Sequence, residues 1–150
     1  MSKSYLVTGL LVLFGLSCLA VLRVQAIEDN PKADKTKGAK DRFFEMRTYI
    51  AAPGKLDALN ARFRNHTNKL FVKHGMELIG YWTPTDGAAS ENTLVYILAY
   101  SDKDAREKSW KAFQADPEWQ KVRTETEANG KLVEKVEQVF LKPTDYSPIK

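Results

Sequence analysis

The chain of 150 residues has one cysteine, Cys18, and two histidines, His66 and His74. Cys18 lies inside an apolar N-terminal run, and if that run is removed no disulfide, thiolate nucleophile or Cys-based metal site remains. Neither histidine belongs to an HExxH or His-x-His pattern, and no carboxylate cluster accompanies them. No metal or haem ligand set is therefore expected, and no cofactor is assigned. Glycine-rich phosphate loops are absent as well. Charge of one sign is also scarce: 23 Lys and Arg against 19 Asp and Glu leave a formal charge of +4. Residues 43–142 mix 15 basic with 14 acidic side chains, so there is no clustered basic face, and nucleic acid is not expected as a partner. At this length the chain holds one small domain, which excludes a large multidomain enzyme.

What is present begins with an address. Residues 1–26 read MSKSYLVTGLLVLFGLSCLAVLRVQA, with Lys3 ahead of an apolar stretch from Tyr5 to Leu22 and Val24-Gln25-Ala26 behind it. That is the layout of a secretory signal peptide cut after Ala26, which predicts a periplasmic or secreted protein. At about 1.5 Å per residue the apolar stretch is long enough to span a membrane. An uncleaved anchor over residues 5–22 is thus the alternative, and the only case in which membrane contact is expected. A lipoprotein site at Cys18 would want an aliphatic residue three positions earlier, where Gly15 stands. Residues 27–42 (IEDNPKADKTKGAKDR) carry one branched apolar residue, Ile27, and no aromatic one. Such a segment buries too little surface to order itself, and it reads as a disordered polar linker.

The remaining stretch alternates strand and helix patterns. Phe43–Ala51 (FFEMRTYIA) reads as a strand with Phe44, Met46, Thr48 and Ile50 on one face and Phe43, Glu45, Arg47 and Tyr49 on the other. Leu56, Leu59, Phe63, Leu70 and His74 fall at helical spacing, with His66 filling the gap, and predict one helix from Lys55 to His74 stopped by Gly75. Met76–Thr83 and Thr93–Tyr100 read as strands, the second apolar on both faces. Ser101 or Asp102 caps a helix over 103–115 carrying Trp110 and Phe113, whose mixed charges from Lys103 to Lys111 read as a solvated face. Asp116-Pro117-Glu118-Trp119 is a strong helix start. Gly130 ends that helix, and Leu132–Lys142 is a fourth strand. The order β-α-β-β-α-(α)-β is the ferredoxin-like split βαβ of the α+β class, a four-stranded antiparallel sheet with helices on one face. The face left bare, on which the third strand is also apolar, calls for a partner, most simply the same sheet of a second copy.

Several short motifs recur in one order. Glu45-Met46-Arg47-Thr48-Tyr49 precedes Pro53-Gly54-Lys55. Gly80-Tyr81-Trp82, Ala99-Tyr100, Asp116-Pro117-Glu118-Trp119, Leu141-Lys142-Pro143-Thr144 and Tyr146-Ser147-Pro148 follow. Over residues 43–148 this resembles the NIPSNAP domain. The resemblance implies the dimeric α/β-barrel superfamily, in which two ferredoxin-like sheets pair into a barrel, and hence a homodimer. Relatives there include antibiotic-biosynthesis and haem-degrading monooxygenases, muconolactone-type isomerases and chlorite dismutases. The NIPSNAP domain itself brings no catalytic residue that carries over.

The candidate cavity face comprises Glu45, Arg47 and Tyr49, joined by Tyr81 and Tyr96, with Tyr100 and Glu77 near its ends. If this face lines the barrel, Arg47 holds an anionic ligand by a forked hydrogen bond and Tyr49 positions or protonates it. The plainer account is a Glu–Arg pair that satisfies itself beside packed aromatics. Trp110, Phe113 and Trp119 read as core. His66 reads as a half-buried packing residue and His74 as a cation at a helix C-terminus. The leading expectation is a dimeric barrel that binds a small apolar or aromatic ligand, or a protein partner. The alternatives are a cofactor-independent monooxygenase or isomerase, and a purely structural dimer. An open cavity on the Glu45/Arg47/Tyr49 face separates the first two from the third.

Overall fold

The structure, a computed structural model, describes residues 42–150. The signal peptide and nearly all of the linker read from the sequence lie outside the described residues. Four strands, β1 (Phe43–Ala51), β2 (Glu77–Trp82), β3 (Thr93–Tyr100) and β4 (Val133–Leu141), form one antiparallel sheet in the order β2-β3-β1-β4. Between β1 and β2 run α1 (Leu56–Arg62), a π-helical turn (Phe63–Thr67) and α2 (Asn68–Lys73). Between β3 and β4 run α3 (Lys103–Ala115) and α4 (Pro117–Thr126). This is the ferredoxin-like arrangement: β1 and β3 are central and the helices lie on one face.

The element ends follow local chemistry. Gly75 takes a φ of 75°, the left-handed conformation that closes α2 without a Cβ clash. The Asp102 carboxylate accepts a hydrogen bond from the Ala105 amide at 2.8 Å, and the Asp116 carboxylate one from the Glu118 amide at 2.8 Å, capping α3 and α4. Asp116 has a second task. Its other oxygen receives Lys73 Nζ at 2.8 Å and His74 Nε2 at 2.7 Å, tying the end of α2 to the start of α4. Those two bonds, from Lys73 first and His74 second, hold the Asp116 carboxyl well below the ordinary carboxylate range.

The core lies between sheet and helices. Leu94, Tyr96, Leu98 and Tyr100 of β3 project into it and meet Leu59, Phe63, Leu70, Phe71, Trp110 and Phe113. The π turn changes one expectation. It adds a residue to the turn after Phe63, so Thr67 occupies the buried gap, 2 % exposed, and His66 is exposed. Thr67 also donates from its hydroxyl to the Arg62 carbonyl at 3.3 Å.

Register assigns the two faces of the sheet. Glu45 pairs with Leu98, Arg47 with Tyr96 and Tyr49 with Leu94, so these three β1 residues turn toward the helices. Phe44, Met46, Thr48 and Ile50 take the other face, opposite Ala99, Ile97, Val95 and Thr93. The C-terminal segment crosses one end of that face. There Pro143 and Ile149 close over Phe44, Ile79 and Ile97 around a space of about 320 Å³. Away from the segment, Val139 and Trp82 stand about half exposed, at 48 % and 51 %. A bulge in β2 between Leu78 and Gly80 puts Leu78 and Tyr81 on the helix side. Plain alternation places Glu77 with Tyr81, whereas the bulge sends Glu77 to the open face, where it pairs with Arg42. The Trp82 ring lies on Gly80, where a Cβ would come within 2.6 Å of it.

Candidate functional site

Five residues expected to share one face do share it, but that face is covered by the molecule's own helices. Glu45, Arg47, Tyr49, Tyr81 and Tyr96 all point into the layer between sheet and helices. A cavity on this face is therefore bounded by sheet and helices and does not lie between two sheets. The helices contribute the aromatic residues that surround Tyr49 and Tyr96, Phe63 against both rings and Phe71 against Tyr96.

Glu45 is fully buried, 0 % exposed, and meets five donors. Arg106 Nη2 reaches Oε1 at 2.7 Å and Arg106 Nε reaches Oε2 at 3.1 Å, a forked contact. Trp110 Nε1 donates at 2.8 Å, the Tyr100 hydroxyl at 3.1 Å and Arg47 Nη1 at 3.1 Å. Burial alone would raise the carboxyl pKa. The bonds from Arg106 and Trp110 and the charge of Arg47 outweigh burial, and the net direction is downward. Glu45 is thus a fixed anion with its lone pairs in use. It is poorly placed to shuttle protons and well placed to anchor α3 to β1.

The sequence reading missed the main holder of this carboxylate. Arg106 lies in the stretch read as a solvated helix face, yet its side chain is 11 % exposed, bent inward over the rings of Trp110 and Phe140. No periodicity marks it, because Arg106 lies at the edge of the apolar stripe and its long stem reaches in. Arg47 stacks on Trp110 with 4.2 Å from guanidinium carbon to ring centroid.

Beside this network stands an aromatic nest. Tyr96 is 0 % exposed and packs against Tyr49 at 5.2 Å, Phe63 at 5.1 Å and Tyr81 at 5.6 Å between ring centroids. Burial pushes the phenols of Tyr81, Tyr96 and Tyr100 upward, so all three stay protonated. Three buried polar atoms here have no hydrogen-bond partner: Tyr81 Oη, Tyr96 Oη and Arg47 Nε. Arg47, Tyr96 and Tyr81 form one row across β1, β3 and β2. A buried hydroxyl without a partner costs stability. Tyr81→Phe, at the hydroxyl for which burial is the sole influence, is therefore expected to raise stability by up to about 1–3 kcal/mol, read as a higher urea midpoint. A lower midpoint would mean that the hydroxyl is satisfied.

At its Tyr49 end the face opens. A cleft of about 280 Å³ lies over the uncovered part of β4, lined by Tyr49, Arg62, Trp119, Arg123, Glu127 and Val136. Arg62 is 5 % exposed, pairs through Nη1 with Glu127 Oε1 at 2.9 Å and lies over the Trp119 ring at 5.4 Å. Sequence reasoning missed Arg62, Arg123 and Glu127; of the other lining residues Tyr49 was a candidate and Trp119 read as core. His66 and His74 lie outside this cleft. Among the described residues no group of three or more His, Cys, Asp or Glu is placed to hold a metal, and no helix is long and apolar enough to cross a membrane.

The NIPSNAP family model matches residues 44–148. A crystal structure of a NIPSNAP family protein of unknown function from Agrobacterium tumefaciens is similar, with 28 % identity, a TM-score of 0.64, and 74 % of this chain and 96 % of that one covered. A NIPSNAP-like domain protein from Burkholderia xenovorans is similar at 23 % identity and a TM-score of 0.63, over 73 % of this chain and 90 % of that one. A Streptomyces coelicolor monooxygenase, crystallised with nanaomycin D, shares the fold at 17 % identity and a TM-score of 0.52, over 74 % and 95 % of the two chains. No curated protein matches the chain.

Proposed function

Because the chain belongs to the NIPSNAP family, a family of unknown function, we propose that it is an exported homodimer that binds a small apolar or aromatic molecule in the cleft between sheet and helices. The observation that carries this reading is the open cleft at Tyr49, on the face where a purely structural domain would be filled with side chains. Two aromatic rings, Tyr49 and Trp119, stand in its wall among charged side chains, with Val133 and Val136 beneath. The neighbouring row of unpartnered Tyr81, Tyr96 and Arg47 atoms supports it, since a polar group left bare in a core invites a ligand or an ordered water. Pairing through the bare sheet face leaves the cleft, on the other side, accessible in each protomer. The apolar leader with its small-residue cleavage site supports export to the periplasm or beyond.

Binding is favoured over catalysis by the state of the titratable groups. The Glu45 carboxylate is consumed by five donors and is not free to act as a general base. A cofactor-independent monooxygenase or isomerase is the second reading, favoured by the fold shared with the Streptomyces monooxygenase. Native mass spectrometry of the full mature chain, purified from its own compartment, tests the proposal. A dimer carrying one small-molecule adduct per protomer is expected. A dimer of bare polypeptide mass, unchanged after incubation with an extract of the same compartment, would leave only the structural reading.

A further inference from the structure

Resting on that reading, we propose that the cleft at Tyr49 receives a planar aromatic monocarboxylic acid, its carboxylate on Arg62 and its ring against Trp119 and Tyr49. Arg62 is the observation that points to an anion. A guanidinium presents donors in a rigid fork that fits the two oxygens of a carboxylate. Glu127 accepts from Nη1 of Arg62 at 2.9 Å, but Nε of Arg62 is buried without an acceptor. A buried donor of a charged group left unpaired is unfavourable, and a small turn of the guanidinium that brings its Nε edge to a carboxylate oxygen in the cleft would supply what is missing.

The charges around the cleft have the matching sign. Arg62, Arg123 and Lys131 face Glu127 and Glu134, an excess of one cation (three minus two). Glu127 is already engaged by both arginines, at 2.9 Å from Arg62 and 3.4 Å from Arg123. Lys131 is exposed and forms no ion pair among the described residues. An excess of one fits a ligand with a single negative charge, whereas a second carboxylate would meet Glu134. Size and lining set the rest. About 280 Å³ falls just below the roughly 300–1,000 Å³ of drug-sized ligand pockets, and suits one or two fused rings. Val133 and Val136 of β4 give an apolar floor, and the Trp119 and Tyr49 rings give walls against which an aromatic ring packs.

Titration calorimetry on the full mature protein, with 2-naphthoate and its neutral counterpart 2-naphthamide, tests this. Naphthoate is expected to bind one per protomer and at least tenfold more tightly than the amide. Arg62→Met is expected to erase the preference. Lys131→Met, a change at an exposed residue that leaves the packing alone, is expected to weaken naphthoate about threefold and the amide not at all. Equal affinity for acid and amide would overturn the assignment of charge while leaving a small-molecule site standing. Failure of both to bind would overturn the proposal outright, and the native mass of the purified protein then decides separately whether any ligand is held. Retention of the full preference in both variants would also overturn it.

Discussion

Replacing Glu45 by alanine is expected to destabilise the folded chain by about 3–5 kcal/mol, the cost of removing one partner from a buried ion pair. Glu45 is the node at which β1, β3 and α3 meet. Arg106 and Trp110 come from α3, Tyr100 from β3 and Arg47 from β1, and all four donate to the same two oxygens. Without the carboxylate, the Arg47 and Arg106 guanidinia, with side chains 13 % and 11 % exposed, lose their anion in a poorly solvated place. Urea unfolding measures the effect, and acid should reduce it. The folded-state pKa of Glu45 lies below its ordinary value of 4.5, so the network contributes fully above the unfolded pKa. Its contribution fades as pH falls through the folded value. The gap between wild type and Glu45→Ala is therefore widest near neutral pH and narrows at the acid end. Identical urea midpoints at pH 7 would show that the network contributes nothing to the fold.

If the chain pairs through its bare sheet face as proposed, Val139→Glu is expected to convert that dimer to a folded monomer. Val139, Met46 and Ile97 form a row across β4, β1 and β3 on the bare sheet face, with Val139 48 % exposed in the single chain. A charge introduced there costs the isolated domain little, because it points to water. In a sheet-to-sheet dimer it is buried among apolar side chains without a counter-ion, at a cost of roughly 3–5 kcal/mol per unpaired charge. That corresponds to a dissociation constant raised on the order of a hundredfold or more. Light scattering coupled to size exclusion reads the mass, and the urea midpoint at low protein concentration checks that the domain still folds. An unchanged dimer mass would place the contact elsewhere.

Strand and helix identities were legible in the sequence because they rest on short-range signals. Phe43–Ala51 and Thr93–Tyr100 have the aromatic and branched residues of strands, and Asp116-Pro117 announces α4 by capping chemistry. The order of elements then implied the sheet order, since the split βαβ pattern leaves few alternatives. The candidate site was legible only in part. Alternation correctly grouped Glu45, Arg47 and Tyr49, but it is blind to which face the helices cover. That choice depends on the whole set of apolar partners: Phe63, Phe71 and Trp110 come from three places in the chain. The β2 bulge separated Glu77 from Tyr81, and the π turn exchanged His66 for Thr67; each is a one-residue change in period. Arg106 and Arg62 were illegible for a different reason. Each has a long apolar stem and a charged tip, so helical periodicity sees a surface residue while the tip finds a buried carboxylate or the edge of a cleft.

The proposed dimer contact and the proposed ligand site lie on opposite faces of one sheet. The most direct test is a crystal structure of the full mature chain, purified from its own compartment and crystallised without added ligand. The expected result is two sheets packed through Met46, Ile97 and Val139, with density for a small molecule between Trp119 and Tyr49 in each protomer. Two protomers meeting through other surfaces, with Arg62 and Trp119 collapsed onto Tyr49 and no space between them, would contradict it.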